Sequence, residues 1–392
     1  MPITTRRPHL GARITILLLL TLMSGFRPAM AQVAPGADLK TLIGSLSSLD
    51  FATRTDAARL VRRAPATTAV PALTDAVRRH PDEYVRNRAF ILLSSFNDKG
   101  TGELVRSILG DRNDRLRESA FKWLEQHPDP MLAPRLLAAL QTEVAEFVRP
   151  ALIGALTAVD QDPQVQRALI AEAGRGLDFF RSAVVDSLGR RRAAYAVEAI
   201  APITGNEGPL QQDAILAIGR IGGPKADGIL GALSGVPPEV QATVRAATCL
   251  AGKDCATQVA ALSTAATAAS ARPAVVRAAI AGLAAVAESG NRSALQALLD
   301  IGTRVPALHD DVALGFSSLA LRRPPTVLDW INAAPEAART TAIALLKDGF
   351  ESLEDDFAEE QFYAATRAMY WQAADGSATR TLMASIIQQL EF

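Results

Sequence analysis

Apolar and small side chains recur along this chain at a short interval of four residues and a long one of about thirty. Leu210, Ala214 and Ile218 stand four apart on one helical face. The same triad returns upstream as Thr53, Ala57, Val61, then Val85, Ala89, Leu93, then Leu116, Ala120, Leu124, then Val148, Leu152, Leu156, then Phe180, Val184, Leu188. Downstream it returns as Val240, Val244, Thr248, then Val275, Ala279, Leu283, then Leu308, Val312, Phe316, then Ala338, Ala342, Leu346. Residues four apart share a helical face, so the pattern predicts ten amphipathic helices. Gly219 and the Gly222-Gly223 pair are expected to end the 210–218 helix, and Pro224 to block its continuation.

The triads begin 30 to 35 residues apart. A helix of about a dozen residues with its turn uses roughly half of that interval, so a second helix must bring the chain back to the same side. Apolar patterning places these return helices at 70–79, 102–109, 132–141, 165–173, 196–203, 226–233, 257–262, 293–299 and 326–331. One hairpin buries little by itself, whereas stacked hairpins share a continuous core. The expected fold is therefore all-α, an α-solenoid or superhelix of about ten helical hairpins. With neighbouring helices about 8–10 Å apart, the stack would extend roughly 90 Å as an elongated, curved body.

Regularity falters after residue 234. Pro237-Pro238 and both cysteines lie there, and the helical pattern thins over 256–271, where the stack is expected to bend. Residues 322–326, Arg-Arg-Pro-Pro-Thr, read as a turn between hairpins. In the last segment Glu351, Glu354, Asp355, Asp356, Glu359 and Glu360 crowd together, and Phe350, Phe357, Phe362, Tyr363, Tyr370 and Trp371 accompany them. A terminal repeat must cover the open end of the core, so residues 351–392 are expected to be capping helices with an acidic outer face. The acids lack the spacing and central glycine of a calcium loop.

Val85-Arg86-x-x-Ala89-x-x-x-Leu93, Leu116-Arg117-x-x-Ala120-x-x-x-Leu124 and the run AIGRIGG at 217–223 resemble the second helix of short HEAT repeats of the bilin-lyase-like type. The resemblance covers nearly all of residues 38–350 and implies HEAT-like hairpins. Repeats of this kind serve as scaffolds, adaptors and some enzymes, and the bilin-lyase members imply tetrapyrrole handling.

Residues 1–31 are text of another kind. Arg6, Arg7 and Arg13 precede the apolar run 14–23, and Ala29-Met30-Ala31 follows, the pattern of a secretory signal peptide cleaved after Ala31. A run of ten residues is too short to span a bilayer. The expected mature chain carries the solenoid over 32–350 and is periplasmic or secreted. Cleavage removes Arg6, Arg7, Arg13 and Arg27 and no acid, leaving 37 basic against 41 acidic side chains. A net charge of −4 provides no footprint for nucleic acid. Cys249 and Cys255, the only two cysteines, would form a disulfide in an oxidising compartment or remain two buried thiols.

Arg54, Arg86, Arg117, Arg149 and Arg181 recur at the start of five successive triad helices, with Asp82, Asp114, Glu146 or Asp178 just upstream. They read either as an internal ladder, the acid capping the helix and the arginine bridging to the next repeat, or as a groove for a partner or anionic ligand. They are the candidate partner-binding residues. Tyr84, Phe147 and Phe179 precede the same helices, as staples or as partner anchors. His80-Pro81-Asp82 and His127-Pro128-Asp129 read as proline stopping one helix and Asp capping the next, and His309-Asp310-Asp311 as a helix start. No nucleophile elbow, phosphate loop or HExxH occurs, so no catalytic, cofactor or metal residue is assigned. The expected function is an exported, non-catalytic scaffold or adaptor for another protein of the cell envelope. The alternative is a bilin-lyase-like enzyme or cofactor chaperone holding a tetrapyrrole or other anion on the concave face.

Overall fold

The structure is a computed structural model that describes residues 38–392. The leader 1–31 and its cleavage after Ala31 lie outside the described residues. The chain opens with α1 (Leu39–Gly44) and α2 (Phe51–Arg63), then pairs α3 (Ala66–Arg79) with α4 (Glu83–Ser94), α5 (Thr101–Ile108) with α6 (Asp114–Gln126) and α7 (Ala133–Thr142) with α8 (Arg149–Ala158). The middle pairs are α9 (Pro163–Ala173) with α10 (Asp178–Arg191), α11 (Val197–Ile200) with α12 (Pro209–Ile221) and α13 (Gly223–Ala232) with α14 (Pro238–Leu250). Then come α15 (Cys255–Thr267) with α16 (Pro273–Glu288), α17 (Arg292–Arg304) with α18 (His309–Arg322), and α19 (Pro324–Ala333) with α20 (Glu336–Leu353). α21 (Asp356–Gln372) and α22 (Ala378–Gln389) close the chain, and no strand occurs among the described residues.

The even-numbered helices from α2 to α20 carry the ten triads, with Val148 and Leu308 at the N-caps of α8 and α18. From Val85 to Ile218 every triad side chain is buried. Asp50, Asp82, Asn113, Asp162 and Asn291 each accept a backbone N–H in the first turn of the following helix, which satisfies donors a helix cannot pair internally. His80 and His127 do end helices, and Asp82 and Asp129 cap the next elements. Successive even helices touch one another without a break from α2 to α20, forming one inner layer, while the odd helices lie outside it. The fold is an all-α solenoid of stacked hairpins.

Several local expectations differ from the structure. Gly219 does not end α12, which continues to Ile221 and stops at Gly222 with φ 69°. Pro224 then stands in the first turn of α13, where its missing N–H costs no bond. The return helix at 196–203 is broken into a four-residue α11 between two 3-10 turns, with Pro202 inside the second. The 256–271 stretch does not thin: α15 runs unbroken to Thr267, because alanine is the strongest helix former. What changes there is the core. Val240, Val244 and Ala247 on α14 close one buried block, and Ala242, Ala246 and Cys249 on its other side open the next.

Cys249 and Cys255 join the end of α14 to the start of α15 through a disulfide, their Cα atoms 4.2 Å apart. Replacing both by Ala is expected to lower stability by about 2 kcal/mol, the loop-closure value for so short a bridge. Urea unfolding with and without reductant checks this: reductant should bring the native chain to the variant's midpoint and leave the variant unchanged.

The stack does not run out into an elongated body. Its last helices meet its first repeats, and the close approach of the inner helices is the reason. Gly189 faces Ala217 across α10 and α12, Gly219 faces Ala247 across α12 and α14, and Gly349 faces Ser317 across α20 and α18; a Cβ at any of the three would collide with its neighbour. Small residues on the inner layer shorten it relative to the outer one, and the stack curls.

Candidate functional site

The five recurring arginines are each hydrogen-bonded, and Arg86, Arg117 and Arg149 reach acids of the next repeat while Arg54 and Arg181 bond within their own. Arg54 donates from Nη1 to the Ser48 carbonyl at 2.7 Å. Arg86 donates from Nε to the Val77 carbonyl at 2.8 Å and from both terminal nitrogens to Asp111, beyond the end of α5. Arg117 meets Glu143 through Nε and Nη2, both at 2.8 Å, and the Asp111 carbonyl through Nη1. Arg149 reaches Glu172 at 3.2 Å and covers the Phe180 ring, and Arg181 bonds the Ala173 carbonyl and Asp178. Several of these partners lie at the C-terminal ends of odd helices, where carbonyls lack intrahelical donors and the helix dipole is negative. Burial opposes ionisation of Asp111 and Glu143, but the hydrogen bonds from Arg86 and Arg117 hold both carboxyls below their usual range.

A different set of side chains faces open space. Phe51, Tyr84 and Arg115, from the first turns of α2, α4 and α6, share one groove, and the Arg115 guanidinium lies 5.7 Å from the Phe147 ring before α8. Phe179 on α10 lines the next hollow along with Pro150. Tyr84, Phe147 and Phe179 are 41%, 42% and 70% exposed, too open for rings wholly spent on holding a helix entry. The result is a rim of aromatic side chains along the first five repeats.

Past Phe179 the inner layer lines an open hollow of about 640 Å³ between α10, α12, α16 and α18. Its lining holds a knot of charge. Arg220 donates to Asp186 at 2.7 Å and to Glu288 at 3.1 Å, Arg190 meets Asp186 at 3.1 Å, and Glu125 on α6 stands 3.8 Å from Arg190. Burial works against the Asp186 carboxylate, yet Arg190, Arg322 and Arg220 hold it down at about 2. Leu216, Ile280 and Leu314 add apolar surface to its lining.

The third feature is the seam where the solenoid closes. Arg62 on α2 donates from Nε and Nη2 to Glu360 Oε2 at 2.9 and 2.7 Å, with side chains 9% and 0% exposed. Arg88 on α4 meets Asp356 at 2.6 Å, and Lys122 on α6 meets Asp355 at 3.1 Å. Gln361 donates to Ser94 Oγ, and Arg367 to the Ser95 carbonyl. Of the acids expected on an outer cap face, Asp355, Asp356 and Glu360 thus meet the cations of the first three repeats, while Glu351 and Glu354 stay exposed.

Glu359 sits in this seam, and burial together with Asp356 and Asp355 pushes its carboxyl up to about 7, against the pull of Arg88 and Arg62. The neutral acid carries no penalty, so below its unfolded value the group is silent. As pH rises through the window between about 4.5 and about 7, folding must hold a disfavoured carboxylate, and stability falls. Glu359→Gln should remove that decline, up to about 3 kcal/mol. Urea midpoints at pH 5 and pH 8 measure it; equal declines in both proteins would contradict the assignment.

The three described histidines are dispersed. The Asp82 N–H donates to His80 Nδ1, His127 stacks on Trp123 with ring centroids 4.1 Å apart, and His309 Nε2 lies 2.7 Å from Asp348 at the surface. Among the described residues no group of three or more His, Cys, Asp or Glu is placed to hold a metal ion. No described helix is long and apolar enough to cross a membrane.

A family model for HEAT repeats matches residues 70–157, the stretch from α3 to α8. Among solved structures, a complex of phycocyanin lyase subunits from Nostoc sp. is 20% identical over 68% of this chain and 95% of that one, with a TM-score of 0.37. Human deoxyhypusine hydroxylase is 16% identical over 67% and 97%, with a TM-score of 0.29. Importin beta is 13% identical over 90% of this chain and 55% of that one, with a TM-score of 0.38. No curated protein matches the sequence.

Proposed function

We propose that the protein is an exported, non-catalytic scaffold that holds another protein of the cell envelope against the rim of its inner layer. The observation that supports this most is the row Phe51, Tyr84, Arg115, Phe147 and Phe179, one exposed anchor for each of five successive repeats. Partly exposed aromatics and arginine are the side chains that carry most interface energy, and a rigid stack presents them together without ordering cost. Export rests on the leader pattern of residues 1–31.

In-cell crosslinking followed by pull-down tests the reading. One envelope protein should be enriched over an unrelated exported control, with crosslinks on the rim, and the recovered chain should begin at Gln32. Phe147→Ala with Phe179→Ala is expected to lower recovery at least tenfold, since each lost anchor is worth about 2 kcal/mol, while circular dichroism stays unchanged. Purified protein should be colourless. A visible tetrapyrrole band, or enrichment no greater than the control, would count against the scaffold.

A further inference from the structure

Where the last two helices lie against the first repeats, the seam leaves a hollow of about 1030 Å³. Arg59, Arg62 and Arg63, from the end of α2, line it together with Tyr363, Arg367, Tyr370 and Trp371 of α21. Phe96 and Phe392 add two more rings, and among the described residues no acidic side chain lines it. Tyr363, Arg367 and Tyr370 stand four and three apart, so one face of α21 presents all three.

The four arginines are not equally occupied. Arg62 is spent on Glu360, and Arg59 on Asp56 and the Glu391 carbonyl. Arg63 is exposed and has no hydrogen-bond or ion-pair partner among the described residues. Arg367 gives one nitrogen to the Ser95 carbonyl and has no carboxylate partner among them. Its guanidinium lies 5.4 Å from the Phe96 ring and 5.3 Å from the Tyr363 ring, which fix its position. Arg380, over the Tyr370 and Trp371 rings, is held by Asp375. Counting Asp56, Glu360 and the Phe392 α-carboxylate, which pairs with none of the arginines, four cations still face three acids.

Tyr363 supplies an independent sign. It is 5% exposed, yet its hydroxyl keeps some of that exposure and has no hydrogen-bond partner among the described residues. A buried phenol ordinarily spends its O–H on a protein acceptor, and this one is left for something in the hollow. We propose that the hollow binds an aromatic oxyanion, a flat ring carrying a carboxylate or a phosphate. The anionic group takes donors from Arg63, Arg367 and Tyr363, since guanidinium forks suit either head group. The ring lies against Trp371, which is 67% exposed and offers a flat apolar surface. This goes beyond the scaffold reading and does not depend on it.

Calorimetric titration of the full chain with phenyl phosphate and with benzoate tests the proposal, alongside inorganic phosphate and phenol, which carry one half of the ligand each. At least one aryl anion should bind saturably by millimolar concentration, the tighter of the two naming the head group. Inorganic phosphate and phenol should each bind at least tenfold more weakly than that anion, the loss expected for a missing charge-assisted contact or a missing ring. Arg63→Gln, at an exposed position without partners, should weaken binding at least tenfold while circular dichroism stays unchanged. Tyr363→Phe, which removes only the unpaired hydroxyl, should weaken it several-fold. Arg115→Gln, on the rim, should bind as the native chain does. No saturable heat with either aryl anion, equal binding of either half, native affinity in Arg63→Gln or Tyr363→Phe, or loss of binding in Arg115→Gln would each overturn it.

Discussion

Glu360→Ala is expected to destabilise the protein by about 3–5 kcal/mol, the cost of stripping one partner from a buried ion pair. Arg62 gives two hydrogen bonds to a single oxygen of Glu360, and its guanidinium also lies 5.1 Å from the Tyr363 ring and 5.7 Å from the Phe392 ring. With the carboxylate gone, that guanidinium loses its hydrogen-bonded counter-charge, and the acid left within its reach is Glu359, itself pushed toward the neutral form. Replacing both members, Arg62→Met with Glu360→Leu, should recover most of the loss, since matched apolar residues restore packing without a stranded charge. Urea unfolding separates the cases. A single variant costing less than about 1 kcal/mol would mean that the pair is solvated and the seam open.

Gly219→Ala should cost a net of about 1 kcal/mol even though alanine is the better helix former. An added Cβ at residue 219 would stand 2.5 Å from both the Cα and the carbonyl oxygen of Ala247, so α12 and α14 must separate. Overpacking of this kind costs about 1–3 kcal/mol, and here it opposes a helix-propensity gain of about 1 kcal/mol. Gly228→Ala on α13 is the control, because no atom lies within 4 Å of its added Cβ. That change should be neutral or stabilising by up to about 1 kcal/mol. Thermal unfolding of the two variants gives opposite signs if the inner layer is as close as described; the same sign in both would count against it.

These two sites mark how far the sequence could be read. The triads and their spacing made the hairpins legible, because each depends on residues within one or two turns of each other. Gly219 was legible as a glycine but not as a contact point: in sequence a glycine near a helix end resembles a stop signal, and the neighbour that requires it lies in the next repeat. The partners of Arg86 and Arg117 are acids 25 and 26 residues downstream, a repeat-scale separation that local pairing with Asp82 or Asp114 concealed. Arg62 and Glu360 are 298 residues apart, and no periodicity links them. Closure depends on a small rotation added at every repeat, a sum that one-dimensional spacing does not carry. The rim was half legible, since Tyr84, Phe147 and Phe179 stood out by position while their exposure did not.

Closure of the stack is the central structural claim, and one covalent readout tests it. Lys122 Nζ lies 3.0 Å from Glu118 Oε1 in its own helix and 3.1 Å from Asp355 Oδ1 across the seam. A zero-length carbodiimide crosslinker applied to the monomeric protein should therefore join Lys122 to both acids, and mass spectrometry should find the two products at comparable yield. Recovery of the Lys122–Glu118 product without the Lys122–Asp355 product would show a reactive lysine and an open solenoid, contradicting the account.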